Sequence, residues 1–275
     1  MPTAHTDDGV DIAWHDLGGS GPDLLLAHAT GFCAAVWEPI ARHLTDRFRV
    51  VTFDERGHGA SGRAPGGNYE WHGFASDALA VLATAQLDRP FAAGHSCGGA
   101  LLLLAEQHRP SSFAALWCFE PIVFPFTTPP GRNNPLAARA RRRTAEFASR
   151  EDALANYRNK RPLNALHPDV LAAYVRDGFV DAEGCVRLAC EPEDEARTYE
   201  MGSQHDAYDH LDGVRCPVAL LCGEHTDAIT PSLLDRQAER LPRATTDVWR
   251  DHGHFGPLVD PERAAASIAA SFAAG

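Results

Sequence analysis

The sequence predicts an α/β protein, because short apolar runs of strand length alternate with longer segments of helical periodicity. Five of these runs are continuous, which is typical of parallel strands buried on both faces of a sheet. The five runs occupy residues 24–27, 50–53, 91–93, 116–119 and 218–222. Residues 10–16 alternate between apolar and polar side chains, so we expect a partly solvated, antiparallel strand there.

The segments between the strands carry the pattern of helices that cover a sheet. One apolar stripe repeats at helical spacing and consists of Trp71, Phe74, Ala75, Ala78, Leu82 and Ala85. Residues 100–107 form a second helical pattern that is almost entirely apolar. Two later patterns, 231–240 and 261–272, begin with proline, which the first helical turn tolerates because the N–H there has no intrahelical acceptor.

Residues 122–213 interrupt this alternation. The interval opens with several prolines and continues through polar helical segments, and the strand pattern restarts at Pro217. An interval of this length is too long for a simple loop. We therefore predict a core made of residues 1–121 and 214–275, with residues 122–213 inserted over one end of its sheet.

Composition limits the partners that the protein is expected to bind. The chain has 25 Lys and Arg against 37 Asp and Glu, which gives a formal net charge of −12 at pH 7. Nucleic acids and anionic membranes attract positively charged surfaces, so neither is expected as a partner. The one basic cluster is short and is interpreted as a solvated helix face: Arg139, Arg141, Arg142 and Arg143.

The termini, cysteines and histidines suggest a reduced, metal-free protein. The first residues lack the basic start and apolar core of a signal peptide, and no run approaches about 18 apolar residues, so a cytoplasmic location is expected. The seven cysteines include no C-x-x-C pair, which favours reduced thiols over disulfides or a zinc site. His252 and His254 form an H-x-H without a second ligand cluster, so neither a metal site nor a cofactor is predicted.

The strongest chemical signal is a G-x-S-x-G motif formed by Gly94, Ser96 and Gly98. The motif lies between an apolar strand and an apolar helix, where a tight turn exposes the serine at the carboxyl edge of the sheet. Glycine on either side of the serine leaves room for the neighbouring backbone. We predict that Ser96 is a nucleophile.

A serine nucleophile needs a base, and the base needs an orienting acid. His254 is the predicted base because a Gly-His pair lies between a strand and the last helix, and His252 is the lesser candidate. Asp227 is the predicted acid, since it lies on a loop just past the run at 218–222. The chain order Ser96, Asp227, His254 is the one expected for a serine on a strand–turn–helix.

The negative charge that develops on an acyl substrate needs two backbone N–H donors. Cys97 directly follows the nucleophile and is expected to supply one of them, with its thiol incidental. Thr30, in the loop after residues 24–27, is predicted to supply the other, with Gly31 as the alternative. Three aromatic residues are candidates for lining an apolar substrate pocket, although core packing explains them equally well: Phe32, Phe124 and Phe126.

With these motifs in place, the chain resembles the α/β-hydrolase superfamily over nearly its whole length. The matching segments follow the family order: H-A-T-G-F at 28–32, D-E-R-G-H-G-A-S at 54–61, the Ser96 turn, the loop at 223–227, and G-H-F at 253–255. The resemblance implies an eight-stranded, mostly parallel sheet with a helical cap inserted after the sixth strand. With serine at position 96, the chain resembles those members of the superfamily that transfer acyl groups to water.

The resemblance also offers a second acid. Glu120 follows the strand run at 116–119, and some members of the superfamily use an acid at this position, certain lactonases among them. Asp227 is preferred because its loop matches the common pattern. Glu120 is retained as the alternative.

We therefore expect a cytoplasmic serine hydrolase, similar to carboxylesterases or lactonases, that cleaves a small ester or lactone through an acyl-enzyme intermediate. No cofactor is implied. One alternative is an amide or carbon–carbon bond hydrolase of the same fold. Another is a non-catalytic protein of this fold that binds a ligand or signals through a partner, because a fold alone does not determine function.

Overall fold

A central sheet of eight strands organises the protein, and the computed structural model describes residues 1–127 and 134–273. Within these residues the strands are β1 (Thr3–His5), β2 (Asp11–Gly18), β3 (Asp23–Ala27), β4 (Arg49–Phe53), β5 (Phe91–His95), β6 (Ala115–Phe119), β7 (Glu146–Phe147), β8 (Phe179–Ala182), β9 (Cys185–Leu188), β10 (Val218–Gly223) and β11 (Ala244–Trp249). The central sheet has the order β1-β2-β4-β3-β5-β6-β10-β11, and β7-β9-β8 form a small second sheet.

The central sheet is mostly parallel, which confirms the predicted fold. From β4 to β11 every pairing is parallel, whereas β2 is antiparallel to both β1 and β4. The five continuous apolar runs all belong to parallel strands, and the alternating run belongs to β2. The apolar runs did not include β1, which has three residues, or β11, the strand expected before His254, in which four of six residues are exposed. Edge strands lack the two-sided burial that makes a strand apolar throughout.

Helices cover both faces of the sheet. In chain order the described α-helices are α1 (Glu38–Ala41), α2 (Trp71–Thr84), α3 (Cys97–His108), α4 (Pro135–Ala140), α5 (Arg150–Arg158), α6 (Pro168–Asp177), α7 (Pro192–Met201), α8 (Pro231–Ala238), α9 (Gly256–Val259) and α10 (Pro261–Phe272). The four helical patterns of the sequence correspond to α2, α3, α8 and α10. None of these described helices has the length and apolar character needed to cross a membrane.

Burial on both faces explains why the central strands are continuously apolar. Along β3, Leu25 packs into a hydrophobic cluster with residues of α2 and α3. Its neighbours Leu24 and Leu26 point to the opposite face, into a cluster with residues of α1 and α10. Successive side chains of a strand alternate between faces, so a strand covered on both sides has no polar position.

The interval from α4 to α7 lies between β6 and β10, which places an insertion after the sixth strand as expected. The insertion is more than a helical cap, because it contains the antiparallel sheet of β7, β8 and β9. Those strands have two to four residues each, too few to show a period in the sequence. The boundaries at 122 and 213 stay a prediction, and residues 128–133 within them lie outside the described residues.

A buried histidine connects the insertion to α2. His205 donates from Nε2 to the carbonyl oxygen of Ile122 at 2.9 Å, and its ring stacks on the indole of Trp71 with centroids 5.1 Å apart. Burial lowers the pKa of His205 to about 4. An imidazole in the unfolded chain binds a proton near pH 6.5. The unfolded state therefore takes up a proton between pH 6.5 and 4 that the folded state does not, so stability decreases as the pH falls through this window.

We expect the substitution His205→Gln to weaken the pH dependence of stability. Each histidine linked in this way changes the free energy of unfolding by at most about 1.4 kcal/mol per pH unit. Urea unfolding at several pH values between 7 and 4.5 would measure the slope. His43→Gln removes an exposed imidazole and is the matched control. An identical slope in wild-type protein and His205→Gln would contradict the assignment.

Candidate active site

Ser96 occupies a strained turn between β5 and α3. Its φ of 58° lies in the left-handed region, which side-chain-bearing residues rarely adopt. A Cβ at Gly98 would lie 2.2 Å from the carbonyl oxygen of Ala27, and a Cβ at Gly94 would lie 2.5 Å from the carbonyl carbon of Gly98. Both glycines of the motif are therefore required sterically, for the reason that the sequence suggested.

Ser96 is the first member of a hydrogen-bonded chain of three side chains. Its Oγ lies 3.0 Å from Nε2 of His254, and Nδ1 of His254 lies 2.6 Å from Oε2 of Glu120. Ser96 follows β5 and Glu120 follows β6, so the neighbouring parallel strands present both groups at the same edge of the sheet. With Nδ1–H donating to the carboxylate, Nε2 is free to accept the proton of the serine hydroxyl.

The carboxylate at Nδ1 corrects the preferred prediction, because it belongs to Glu120 and not to Asp227. The Asp227 side chain is exposed at the cavity wall, and no group in the described parts of the chain forms a hydrogen bond or ion pair with it. The loop of Asp227 instead supplies donors to Glu120. Gly223 N–H donates to Oε1 at 2.9 Å, and the Thr226 hydroxyl donates to Oε2 at 2.6 Å.

Close packing of two loops brings His254 to Glu120. A Cβ at Gly223 would lie 2.4 Å from the carbonyl oxygen of His252, and the N–H of His225 donates to that same oxygen at 2.8 Å. The loop that contains Thr226 therefore lies against the loop that contains His254. His252, the lesser candidate base, bonds through Nδ1 to a backbone carbonyl instead of the serine.

Hydrogen bonding in the loop after β3 favours Thr30 as an oxyanion donor. The N–H of Gly31 donates to Nε2 of His58 at 2.9 Å, and the N–H of Phe32 donates to the carbonyl of Ala29 at 3.1 Å. Across the described residues, the N–H of Thr30 has no protein acceptor, and Thr30 lines the cavity beside Ser96. Cys97 is the first residue of α3, where a backbone N–H has no intrahelical acceptor, and its side chain is fully buried. The N–H groups of Thr30 and Cys97, the predicted oxyanion donors, are therefore both free to donate to a ligand.

Two buried histidines hold this loop as neutral acceptors. His58 accepts from Gly31, and His28 accepts at Nε2 from the N–H of Glu55 at 3.0 Å, while each donates from Nδ1 to a backbone carbonyl. Burial lowers the pKa of both rings, that of His28 to about 3. A protonated imidazole has no lone pair with which to accept. The low pKa values therefore preserve the bond that orients Gly31.

His95 supports the backbone of His254. Its Nε2 donates to the carbonyl oxygen of His254 at 2.8 Å, and the two rings are tilted with centroids 4.9 Å apart. Burial, with His254 beside it, lowers the pKa of His95 well below its usual value. A neutral ring next to the base avoids a second positive charge when His254 is protonated.

A cavity of about 750 Å³ extends from Ser96 and His254, within the usual range for small-molecule sites. Phe32 and Phe124 line it as predicted. Phe126 does not belong to the lining: its ring is 57% exposed and stacks on the outer side of Phe124 with centroids 5.3 Å apart. The prediction for Phe126 is therefore wrong, since the side chain covers another aromatic ring instead of the cavity.

The basic cluster also requires a correction. Arg139 and Arg142 are exposed to solvent as expected, but together with the half-buried Arg143 they also line the cavity. Arg141 does not line it and pairs on the surface with Glu193 and Glu200 at 2.8 and 2.6 Å.

An ion pair between half-buried Arg143 and buried Glu195, which the sequence did not indicate, lies over the loop that contains Thr30 and Gly31. Arg143 pairs with the carboxylate of Glu195 and donates to the hydroxyl of Tyr174 at 2.7 Å. A Cβ at Gly31 would lie 2.8 Å from a carboxylate oxygen of Glu195 and 3.4 Å from Nη1 of Arg143. The two partners are 52 positions apart in the chain, so no local pattern identifies them. The insertion thus contributes directly to the wall beside Thr30.

Comparison with known proteins identifies the family. A model of the alpha/beta hydrolase family matches residues 24–267. The chain belongs to this family. The match spans the nucleophile turn, Glu120 and His254, and both flanks of the insertion.

The relatives of this α/β hydrolase include several named hydrolases. The chain is 27% identical over 267 residues to the protein named "Putative carbamate hydrolase RutD" of Caulobacter sp. (strain K31), covering 94% of this chain and 95% of that protein. It is 26% identical over 246 residues to the 2-(acetamidomethylene)succinate hydrolase of Mesorhizobium japonicum, covering 89% and 85%. A crystal structure of E-2-(acetamidomethylene)succinate hydrolase superposes with a TM-score of 0.83 at 22% identity and covers 99% of both chains, which shows a shared fold.

Substitution of the two candidate acids should affect activity very differently. We expect Glu120→Gln to lower kcat for ester hydrolysis by roughly 10³- to 10⁴-fold, because an amide cannot stabilise the imidazolium. Asp227→Asn should stay within about threefold of wild type, since Asp227 forms no hydrogen bond with Ser96 or His254. Initial rates on a 4-nitrophenyl ester, at equal folded fraction by circular dichroism, would measure both. A collapse in Asp227→Asn with near-normal Glu120→Gln would return the role to Asp227.

Proposed function

We propose that this α/β hydrolase cleaves small carboxylic esters or lactones through an acyl-enzyme on Ser96. One observation carries the proposal: Ser96, His254 and Glu120 form an unbroken chain of hydrogen bonds of 3.0 and 2.6 Å at the wall of the cavity. A serine hydroxyl becomes nucleophilic when a positioned base accepts its proton, and the base needs its second nitrogen oriented by an acid.

In the acylation step, Ser96 Oγ bonds to the acyl carbon while His254 Nε2 takes the hydroxyl proton. The carbonyl electron pair moves onto oxygen, and the N–H groups of Thr30 and Cys97 stabilise the resulting oxyanion. Glu120 stabilises the imidazolium. Collapse of the tetrahedral intermediate breaks the bond to the leaving oxygen, which departs with the proton from Nε2.

In the deacylation step, water attacks the acyl carbon and His254 takes one of its protons. Collapse of the second tetrahedral intermediate breaks the bond to Ser96 Oγ, which recovers its proton from Nε2. The product is a carboxylic acid. From a lactone, the leaving hydroxyl stays in the same molecule and the product is a hydroxy acid.

A fluorophosphonate probe should label Ser96, and Ser96→Ala should abolish both labelling and hydrolysis. Loss of a triad nucleophile costs roughly 10⁴-fold or more in kcat. Mass spectrometry of the labelled peptide and ester turnover would measure the two effects, with circular dichroism to confirm folding. Wild-type turnover in Ser96→Ala would refute the acyl-enzyme mechanism.

The neighbouring Cys97 provides a matched control. Its side chain is fully buried, so we expect Cys97→Ala to keep its backbone N–H and to retain activity within about tenfold. The same labelling and turnover assays apply. A Cys97→Ala variant as inactive as Ser96→Ala would indicate that the thiol takes part in the chemistry.

Amide hydrolysis is the second candidate, because the names of two relatives contain a carbamate and an acetamido group. The proposed steps are unchanged except that His254 protonates a leaving nitrogen. 4-Nitrophenyl acetate and 4-nitroacetanilide share an acyl group and a leaving ring. A larger rate enhancement over the uncatalysed reaction for the anilide would favour amide hydrolysis. A larger enhancement for the ester would favour ester or lactone hydrolysis.

A further inference from the structure

Four cationic side chains that have no acidic partner among the described residues line the outer part of the cavity. All four are exposed to solvent: Arg139, Arg142, Lys160 and Arg161. The Nη2 of Arg139 donates to the backbone oxygen of Arg161 at 3.1 Å, so the two segments that contain these residues are adjacent. Within residues 1–127 and 134–273, none of the four forms an ion pair. We call this group the cationic rim.

The rest of the cavity lining does not neutralise the cationic rim. Among the described residues, two acidic side chains reach the cavity, Glu195 and Asp227. Glu195 is already paired with the guanidinium of Arg143, so this pair adds no net charge. Asp227 is then the one unpaired carboxylate among the described lining residues. The cavity therefore has an excess of positive charge at its outer part.

This excess contrasts with the protein as a whole, which has a formal net charge of −12 at pH 7. Arg141 lies next to Arg142 in the chain, yet it faces away from the cavity lining and pairs with both Glu193 and Glu200. Clustered like charges repel one another and destabilise the folded state. A group of cations that lacks partners in an acidic protein is explained by an anion that binds from outside.

We propose that the substrate carries an oxyanion, a carboxylate or a phosphate, at some distance from the carbonyl that Ser96 attacks. This inference rests on the proposed function. The guanidinium groups of the cationic rim offer planar pairs of N–H donors that match either oxyanion. The carbonyl lies at Ser96, and the apolar connecting part of the substrate contacts Phe32, Ile122 and Phe124. The cavity thus selects a small amphipathic anion over a neutral ester of the same length.

Two esters of matched length test the selection. The mono-4-nitrophenyl ester of glutaric acid carries a terminal carboxylate, and 4-nitrophenyl pentanoate carries a methyl group in its place. We expect kcat/KM to be about tenfold higher for the anionic ester at low salt and to converge toward the neutral one at high salt, where exposed charges are screened. If neither ester is hydrolysed, alkyl fluorophosphonates with the same two end groups give the comparison as labelling rates of Ser96.

Substitutions identify the cations that are responsible. Arg142→Gln and Lys160→Gln should each lower the ratio of anionic to neutral kcat/KM by about threefold, and the double variant by about tenfold. Arg141→Gln is the matched control, because it removes a neighbouring arginine that does not line the cavity. Its ratio should stay within about twofold of wild type. Competitive inhibition by glutarate and by inorganic phosphate distinguishes the two kinds of oxyanion.

The outcomes separate this inference from the proposed function. Equal kcat/KM for the two esters, or equal losses in Arg141→Gln and Arg142→Gln, would overturn the cationic rim as a selectivity element while the hydrolase mechanism stands. Full activity in Ser96→Ala would overturn the mechanism instead. A salt-dependent preference for the anionic ester that decreases in the Arg142 and Lys160 variants alone would support the inference.

Discussion

The buried carboxylate of Glu120 is the interaction on which the geometry of the site depends. The carboxylate accepts hydrogen bonds from Gly223, Thr226 and His254. The backbone N–H of Glu120 donates to the carbonyl oxygen of Leu221 in β10. These contacts join the end of β6 to both loops at the carboxyl edge of the sheet. An ionised carboxylate in a fully buried position is costly unless donors surround it. The three donors stabilise the charge and, in the same arrangement, determine which nitrogen of His254 faces Ser96.

Much of the fold could be predicted because its determinants are local in the sequence. Strands covered on both faces must be apolar at every position, as the alternation of Leu24, Leu25 and Leu26 between two clusters shows. The nucleophile turn could also be predicted, since the clashes that exclude a Cβ at Gly94 and Gly98 involve the turn itself and the adjacent strand. Edge strands such as β11 are half-exposed, so they give a weaker pattern.

The acid and the cavity wall depend on contacts between distant segments. Asp227 and Glu120 both follow buried strands at the same edge, so spacing alone does not distinguish them. What separates the two candidates is Thr226, on the same loop as Asp227. Its hydroxyl donates to Glu120 at 2.6 Å, so this loop provides a hydrogen-bond donor to the acid and not the acid itself. The basic cluster shows the same limit, because partners in the distant segment of Glu193 to Glu200 neutralise Arg141, whereas Arg142 has no such partner among the described residues.

The site separates its charges into two zones that suit different tasks. Next to Ser96, the groups around the loop that contains Thr30 are neutral or paired, namely His28, His58 and the Arg143–Glu195 pair. Few free charges there compete with the oxyanion for the N–H donors, and the low dielectric strengthens those bonds. The unpaired cations lie at the solvent-exposed part of the cavity, where screening limits their self-repulsion. Under the proposed function and the inferred preference for an anion, the charge that attracts the substrate from solution lies apart from the charge that develops during the reaction.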